Sequence, residues 1–198
     1  MKNNKLYLIP TPIGNYDDIT IRALRILEFV DVLLCEDTRE TGKLLSNFNI
    51  KKKLVSCHDH NEEQMCSKVI EYLDNGLNIG LVTDQGTPII SDPGYKIVAN
   101  AAKANYSIVS LPGATAFVPA LTLSALSPQP FLFYGFLNSK RSKLLKELDT
   151  LKNYTFTMVF YESPKRINDT LKNMLEIFGN RRIALVRELT KKYEEVIR

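Results

Sequence analysis

The stretch Thr83-Asp84-Gln85-Gly86-Thr87-Pro88-Ile89-Ile90-Ser91-Asp92-Pro93-Gly94 directly follows the apolar run Ile79-Gly80-Leu81-Val82. A short apolar run bounded by a polar segment is typical of a buried strand in a parallel sheet. A helical pattern resumes at Tyr95, so the polar segment connects a strand to a helix. Most such connections have about 2–6 residues, and longer ones are often functional. We therefore predict that residues 83–94 form a ligand-binding loop at the carboxyl end of a parallel strand.

Strands and helices alternate along the rest of the first half of the chain. The predicted strands are 6–9, 32–35, 54–56, 79–82 and 108–111. Helical patterns separate these strands, and this alternation predicts a mainly parallel sheet with helices on both faces. The segment Ser127-Pro128-Gln129-Pro130 is the predicted linker, because its two prolines interrupt helices and strand ladders alike. We therefore predict a two-domain α/β protein, with domains at residues 1–126 and 127–198.

The second domain is predicted to be a smaller α/β unit. Its strands are expected at 131–135, 155–161 and 183–186, and its helices at 141–151 and 164–178. The sequence reaches Arg198 within a charged stretch that carries no capping or turn signal. A domain of about 70 residues is short for an α/β architecture. We expect this domain to be incomplete at its carboxyl end.

Composition places the chain among ordinary globular proteins. Hydrophobic residues make up 44% and charged residues 24% of the 198 residues. No apolar run approaches the roughly 20 residues that cross a bilayer, and the amino terminus lacks the apolar core of a signal peptide. The three cysteines are an odd number and too sparse for a disulfide framework. These features predict a cytoplasmic protein without a membrane segment.

One loop has some resemblance to a metal site. Cys57-His58-Asp59-His60 is followed by Cys66, which falls on a predicted helix. The spacing matches no standard zinc pattern. A polar loop is the favoured interpretation, with metal binding as the weaker alternative, so no metal is predicted.

Charge is distributed unevenly between the two parts of the chain. Residues 1–120 hold 12 Lys/Arg against 14 Asp/Glu, whereas residues 121–198 hold 14 against 8. The basic residues of the second part cluster at 140–146, 165–166, 181–182 and 191–192. Solvated helix faces explain such clusters in most proteins. A basic part joined to a slightly acidic one also suits a polyanion-binding protein, which weakly favours nucleic acid.

Polar loops follow five of the predicted strands. They comprise residues 10–15, 36–39, 83–94, 112–115 and 162–166. Parallel strands end at one edge, so we expect these loops to converge on one cleft. Neither a Gly-x-x-x-x-Gly-Lys-Ser/Thr motif nor Gly-x-Gly-x-x-Gly is present, which argues against nucleotide triphosphate hydrolysis and ordinary dinucleotide binding. The absence of Gly-x-Ser-x-Gly and the pairing of both histidines in one loop argue against a serine or cysteine nucleophile.

The acid at the tip of the 83–94 loop indicates the kind of ligand. Asp84 suits a ligand that carries positive charge or hydroxyl donors. S-adenosyl-L-methionine has a sulfonium, an ammonium and ribose hydroxyls. It is therefore a candidate cofactor for this cleft.

Several motifs occur in an order that resembles a known family. They are Pro10-Thr11-Pro12-Ile13-Gly14-Asn15, Glu36-Asp37-Thr38-Arg39, His60-Asn61-Glu62, the 83–94 loop, Pro112-Gly113-Ala114-Thr115-Ala116, Tyr161-Glu162-Ser163-Pro164-Lys165-Arg166-Ile167 and Arg187-Glu188-Leu189-Thr190-Lys191. Together they resemble the ribosomal RNA small subunit methyltransferase I family, which lies within the tetrapyrrole (precorrin-like) methylase superfamily. The match extends over residues 6–195.

The resemblance implies a fold, a cofactor and a substrate. It implies a two-domain α/β homodimer that binds S-adenosyl-L-methionine and methylates the 2′-hydroxyl of a cytidine in the decoding region of 16S rRNA, on the small ribosomal subunit. The implied cofactor-binding residues are Pro10, Pro12, Gly14, Asn15, Asp84, Gly86, Thr87, Pro112, Gly113, Thr115 and Ala116, with Tyr161-Glu162-Ser163 contributing from the second domain. In the family the loop commonly reads Ser-Asp-Ala-Gly-Thr-Pro. Here Thr83 and Gln85 replace the serine and the alanine, and members normally continue beyond Arg198.

A ribose hydroxyl is a poor nucleophile, so a positioned base would accelerate methyl transfer by roughly 10²–10⁴-fold. The hypothesis assigns Glu162 or Asp37 to the hydroxyl and Arg39 to the RNA backbone. Its alternative is that Glu36-Asp37-Thr38-Arg39 is only a helix cap with a local ion pair. Two rival functions stay open: a tetrapyrrole-type small-molecule methyltransferase and a truncated, inactive RNA-binding module. The Tyr161–Ile167 motif favours the rRNA enzyme over the first, and the retained cofactor loops argue against the second.

Overall fold

The computed structural model describes residues 4–198. The chain divides into two compact units, Met1–Thr115 and Ala116–Arg198. The predicted domain boundary at 126/127 lies later, because the helix at Phe117–Leu123 groups with the second unit. The exact domain limits stay a prediction.

The first unit is built on a five-stranded parallel sheet. Its elements are β1 (Lys5–Leu8), α1 (Ile21–Phe29), β2 (Val32–Cys35), α2 (Thr38–Asn47), β3 (Lys53–Ser56), α3 (Glu62–Asp74), β4 (Ile79–Leu81), α4 (Tyr95–Lys103) and β5 (Ser107–Ser110), with a short 3₁₀ turn at Tyr16–Asp18. The strand order is β3-β2-β4-β1-β5, and every neighbouring pair is parallel. The predicted α/β class and parallel sheet are confirmed.

The inner strands β1, β2 and β4 are buried on both faces, which explains why they read as apolar runs rather than alternating ones. Leu34 and Ile79 belong to the apolar cluster that includes helices α3 and α4. Leu33 and Ile9 belong to the other cluster, together with Leu27 of α1. Burying such side chains supplies about 1.5–3 kcal/mol each. The two clusters together hold the strand ends in fixed positions.

The second unit is smaller and less regular. Its elements are α5 (Phe117–Leu123), β6 (Phe131–Phe136), α6 (Arg141–Leu151), β7 (Thr157–Tyr161), α7 (Ile167–Phe178), β8 (Leu185–Arg187) and β9 (Glu195–Ile197). Strands β6 and β7 pair in parallel, and β8 pairs with β9 in an antiparallel hairpin. A small core of Leu137, Leu144 and Leu148 lies against this unit's helices. Strand β9 was not predicted from the sequence.

Helix α7 begins later than predicted. The prediction placed its start at residue 164, whereas the helix begins at Ile167. The amides of Arg166 and Ile167 donate to the Ser163 carbonyl at 3.0 and 3.1 Å, which forms a separate turn before the helix. The preceding Pro164-Lys165 segment is therefore a loop that follows β7.

The helices are short in this fold. The longest described one, α3, has 13 residues. Within residues 4–198, no helix combines the length and the apolarity that are needed to cross a membrane.

Candidate functional site

The loops after β1 and β4 are joined by backbone hydrogen bonds. Thr11 and Gly86 form an isolated antiparallel bridge, in which the Thr11 amide donates to the Gly86 carbonyl at 2.9 Å and the reverse bond measures 3.0 Å. The buried Thr11 hydroxyl also donates to the Thr83 carbonyl at 3.1 Å. Gly86 has a φ of 90°, a region that favours glycine. This bridge fixes the first part of the 83–94 loop against the β1 loop.

The loop after β5 is attached to the same two loops. The Thr87 hydroxyl donates to the Ala114 carbonyl at 2.8 Å. A Cβ atom at Gly113 would lie 2.6 Å from the Cβ of Pro10, so a glycine is needed for the two loops to approach this closely. We call the joined loops 10–15, 83–94 and 112–115 the three-loop cradle. The structure therefore brings together four of the residues singled out in the sequence: Pro10, Gly86, Thr87 and Gly113.

The second half of the 83–94 loop has an unusual backbone. Ile89 and Ser91 have φ values of 77° and 67°, which are uncommon for residues other than glycine and rare for a β-branched one. Such conformations persist only where the surroundings hold them. The side chain of Ile89 packs against the core cluster that contains Leu81. The loop is thus held in one shape at the sheet edge.

Glu62 anchors the end of this loop. Its carboxylate is buried, and Oε1 accepts from the amides of Gly94 at 3.1 Å and Lys96 at 2.7 Å. These amides lie at the amino terminus of α4, where a negative charge is favourable. Glu62 belongs to the His60-Asn61-Glu62 motif, but no role was predicted for it. The sequence feature that could have indicated its role is an acidic residue at the start of a predicted helix.

We expect Glu62→Ala to lower the free energy of unfolding by about 1–3 kcal/mol, because the buried Gly94 amide and the partly buried Lys96 amide lose their acceptor. The neighbouring Glu63→Ala is the matched control, since Glu63 is exposed and makes only a 3.4 Å contact with Lys96. Its effect should stay within about 0.5 kcal/mol. Urea unfolding of both variants checks this. Equal effects of the two substitutions would contradict the anchoring role of Glu62.

Acidic side chains collect at the edge where the cradle lies. Burial, together with the charges of Glu36, Asp84 and Asp59, raises the pKa of Asp92 to about 6. Burial also raises the pKa of Asp84 and of Glu36 above their usual values. Each acid therefore disfavours the ionised form of the others. The edge holds negative charge that a cation would neutralise.

The raised pKa of Asp92 predicts a pH dependence of stability. The folded protein binds the Asp92 proton more tightly than the unfolded chain, whose aspartate pKa is near 3.8. Asp92 therefore makes the folded state less stable as pH rises from about 4 through 6, with the full loss above pH 6. We expect Asp92→Asn to raise the denaturation midpoint at pH 7.5 and to leave it nearly unchanged at pH 4. Denaturation of the parent protein and of Asp92→Asn across this pH range tests the prediction. A higher midpoint for Asp92→Asn at pH 4 alone would contradict it.

Asp37 and Arg39 form a local pair at the start of α2. Asp37 is the amino-terminal cap of the helix, accepting from the Arg39 amide at 2.8 Å. Its carboxylate also accepts from the Arg39 guanidinium at 2.6 Å, and these hydrogen bonds hold the pKa of Asp37 well below its usual value. The Asp37 amide donates to Oδ1 of Asp84 at 3.1 Å. The alternative interpretation, a cap with a local ion pair, describes this geometry.

Glu162 lies in the second unit and is almost fully enclosed. Its side chain is 6% exposed and forms a 3.2 Å ion pair with Arg166. Oε2 accepts from the Thr170 hydroxyl at 2.6 Å, and Oε1 accepts from the Ser163 amide at 2.7 Å. Arg166 in turn donates to the Leu137 carbonyl at 3.0 Å. The carboxylate therefore organises the loop after β7.

The remaining residues that were predicted to bind the cofactor differ in burial and in their place along the chain. Pro12 is buried, whereas Gly14 and Asn15 are exposed; the Asn15 side chain accepts from the Asp17 amide at 3.1 Å. Pro112 is exposed and Thr115 is half-buried. Ala116 begins the second unit and is the residue before α5. Their contact with a cofactor stays a prediction.

The three cysteine thiols are free and buried. Burial raises the pKa of Cys57 to about 12 and that of Cys35 to about 11, so these thiols stay protonated at neutral pH. Burial also raises the pKa of Cys66. In the described part of the chain, no group of three or more His, Cys, Asp or Glu side chains is arranged to hold a metal ion.

The cradle fits a cationic, hydroxyl-bearing cofactor. Gly86 and Gly113 let the cradle loops approach one another: a Cβ at Gly113 would lie 2.6 Å from the Cβ of Pro10, and one at Gly86 would lie 3.5 Å from the side chain of Ile13. The Thr83 hydroxyl is buried at 2% exposure and has no hydrogen-bond partner among residues 4–198. Asp84 offers a carboxylate of raised pKa beside it in sequence. These features suit the sulfonium, ammonium and hydroxyl groups of S-adenosyl-L-methionine.

Comparison with known proteins agrees with this geometry. Residues 5–198 match the tetrapyrrole (corrin/porphyrin) methylase family. A protein of Bacillus subtilis strain 168 named ribosomal RNA small subunit methyltransferase I is 52% identical over 193 residues, which cover 98% of this chain and 66% of that protein. A protein of the same name from Halalkalibacterium halodurans is 48% identical, with 98% and 67% covered. This chain thus spans about two thirds of the length of these relatives.

Solved structures share the fold at lower identity. A cobalamin biosynthetic enzyme, cobalt precorrin-4 methyltransferase, aligns with a TM-score of 0.69 at 20% identity, covering 98% of this chain and 84% of that one. Uroporphyrin-III-C-methyltransferase from Thermus thermophilus aligns with a TM-score of 0.65, also at 20% identity and with the same coverage. The resemblance inferred from the motifs is confirmed. The chain belongs to the tetrapyrrole methylase family.

Proposed function

We propose that this member of the tetrapyrrole methylase family transfers a methyl group from S-adenosyl-L-methionine to the 2′-hydroxyl of a cytidine in the decoding region of 16S rRNA. The observation that carries the proposal is the three-loop cradle, in which the Thr11–Gly86 bridge and the approach of Gly113 to Pro10 join the loops, and the 83–94 loop carries the acidic side chain of Asp84. The names of the relatives from B. subtilis and H. halodurans support the rRNA substrate.

The cofactor supplies an electrophilic methyl group on a sulfonium, and the chain mainly has to hold two reactants in line. Such positioning is worth about 7–11 kcal/mol of the barrier. Asp84, together with Thr83, is proposed to hold the cofactor. The close approach of Gly113 to Pro10 sets the distance between two of the cradle loops, which we propose positions the cofactor.

Asp37 and Arg39 are proposed to act on the RNA side. The low pKa of Asp37 makes it a weak proton acceptor, so we assign it to orienting Arg39. The Arg39 side chain is 83% exposed and can pair with a phosphate. Glu162 is assigned to holding the loop after β7, because its oxygens already accept from Ser163 and Thr170.

The partners follow from the same proposal. The substrate is 16S rRNA, presented by the small ribosomal subunit, and the protein works in the cytoplasm as a homodimer. The basic residues of the second half of the chain support a polyanionic partner, since 14 Lys/Arg face 8 Asp/Glu in residues 121–198.

Mapping the methyl group tests this proposal. Small subunits from cells that lack this gene are incubated with the protein and labelled cofactor, and the RNA is then hydrolysed with alkali. A ribose 2′-O-methyl group blocks cleavage of the adjacent phosphodiester, so we expect the label in an alkali-stable dinucleotide that begins with cytidine. Label in an ordinary mononucleotide, as base methylation produces, would refute the 2′-O assignment. Transfer to a tetrapyrrole but not to RNA would favour the rival methyltransferase.

A further inference from the structure

An aromatic ring is exposed at the carboxyl end of β6. The side chain of Phe136 is 55% exposed. Its other side packs edge-to-face on Tyr161, the last residue of β7, with ring centroids 5.4 Å apart. Tyr161 packs in the same way on Phe133 at 5.0 Å. The exposed ring is therefore supported from behind rather than mobile on the surface.

Cations lie at the same end of this two-stranded sheet. Because β6 and β7 are parallel, the residues after both strands share one edge. Arg166 joins the two loops, donating to the carbonyls of Leu137 at 3.0 Å and Asn138 at 3.2 Å. Lys140 follows β6 and Lys165 follows β7; both are exposed, and within residues 4–198 neither has a carboxylate within 4.0 Å.

We propose that this edge binds a single-stranded segment of RNA, with one base stacked on Phe136 and the flanking phosphates at Lys140 and Lys165. We call it the basic–aromatic edge, comprising Phe136, Tyr161, Lys140, Lys165 and Arg166. Single-stranded RNA is held by aromatic platforms that stack bases and by cations that follow the backbone. The choice of 16S rRNA as the natural ligand rests on the proposed function, but the stacking site itself does not.

The charges favour RNA over a protein segment as the occupant. A peptide-binding groove would surround the ring with apolar side chains, whereas the loops beside Phe136 carry Lys140, Lys165 and Arg166. Lysines without a carboxylate partner are available to pair with phosphates, and this pairing releases counterions from the RNA. An exposed ring, with an unpaired lysine in each of the two loops at its edge of the sheet, is typical of a site that binds single-stranded RNA.

Tyr154 provides a matched control on the same unit. It is 43% exposed and stacks on Phe156 with centroids 4.9 Å apart. It precedes β7, so it lies at the opposite end of that strand from Tyr161. The nearby Lys152 is already paired with Asp149 at 2.7 Å. Tyr154 thus offers a supported, exposed ring without the unpaired lysines.

The chain contains no tryptophan, so a single one introduced at either position reports on its own surroundings. Phe136→Trp and Tyr154→Trp are titrated with single-stranded oligocytidylate. We expect strong, saturable quenching at position 136 that weakens with added salt, and little at position 154. Equal quenching at both positions, or none at 136, would overturn the proposal. So would an emission at 136 that changes with protein concentration and not with RNA, because a second copy of the chain would then cover the ring.

Affinity measurements complete the test. Phe136→Ala should weaken oligocytidylate binding by roughly 5- to 150-fold, whereas Tyr154→Ala should change it by less than about twofold. Both variants should bind S-adenosyl-L-methionine as the parent does. If the parent stacks RNA but transfers no methyl group, the proposed function fails and the RNA site stands. If it methylates rRNA while Phe136→Ala binds oligocytidylate normally, the RNA site fails instead.

Discussion

Replacing Asp84 by alanine is expected to lower the affinity for S-adenosyl-L-methionine by about a hundredfold or more, because the carboxylate proposed to pair with the charged cofactor is lost. The fold should survive. Asp84 is exposed, and the hydrogen bond that its side chain accepts from the Asp37 amide at 3.1 Å is worth about 1 kcal/mol. Calorimetric titration with the cofactor gives the affinity, and circular dichroism with urea unfolding reports on the fold.

Asp18→Ala is the matched control for this titration. Asp18 is an exposed acid that follows the β1 loop, in the 3₁₀ turn Tyr16–Asp18, and its removal changes the net charge by the same amount. Its variant should bind the cofactor as the parent protein does. If Asp84→Ala also retained the parent affinity while staying folded, Asp84 would have no place in the cofactor site.

A methyl group at Gly113 is expected to open the cradle. In Gly113→Ala the new Cβ would lie 2.6 Å from the Cβ and 2.9 Å from the Cγ of Pro10, whose ring cannot turn away. The loop after β5 must shift, at a cost in stability of about 1–3 kcal/mol. The Thr87 hydrogen bond to the Ala114 carbonyl would be strained by the same shift. We therefore expect cofactor affinity to fall at least about tenfold, since an ångström-scale misplacement in a positioned site is costly.

Gly42→Ala separates this steric effect from the general effect of replacing a glycine. Gly42 lies within α2, and a Cβ there would meet nothing within 4 Å. That substitution should stabilise the protein by about 0.4–1 kcal/mol and leave cofactor affinity unchanged. Normal cofactor binding by Gly113→Ala would contradict the cradle as the cofactor site.

The parallel sheet was predictable because its physical cause is local. A strand buried on both faces must be apolar throughout, and β2 was predicted at 32–35, the residues that form it. The hairpin of β8 and β9 lacks that signal. Both of its strands have only three residues, with one charged residue each, and hydrogen-bonded turns between residues 188 and 194 join them. Short paired strands of this kind are set by tertiary context rather than by pattern.

The location of the site could be predicted from the sequence, but most of the contacts between its residues could not. Parallel strands bring their carboxyl ends to one edge, so the convergence of the loops 10–15, 36–39, 83–94 and 112–115 followed from topology. The loop 162–166, which was predicted to join them, follows a strand of the separate two-stranded sheet. The contact of Gly113 with Pro10, and the hold of Glu62 on the Gly94 amide, join residues far apart in the sequence. Their distances depend on strand register and on helix position, which no local pattern encodes. The local pair of Asp37 with Arg39, by contrast, was foreseen as an alternative because it spans two positions.

Transfer of labelled methyl groups to small ribosomal subunits tests the central claim most directly. Subunits are purified from cells that lack this gene and, in parallel, from cells that carry it. We predict label in the 16S rRNA of the first preparation and little in the second, where the nucleotide is already methylated. Equal labelling of both preparations, or no labelling of either by protein that binds the cofactor, would contradict the account.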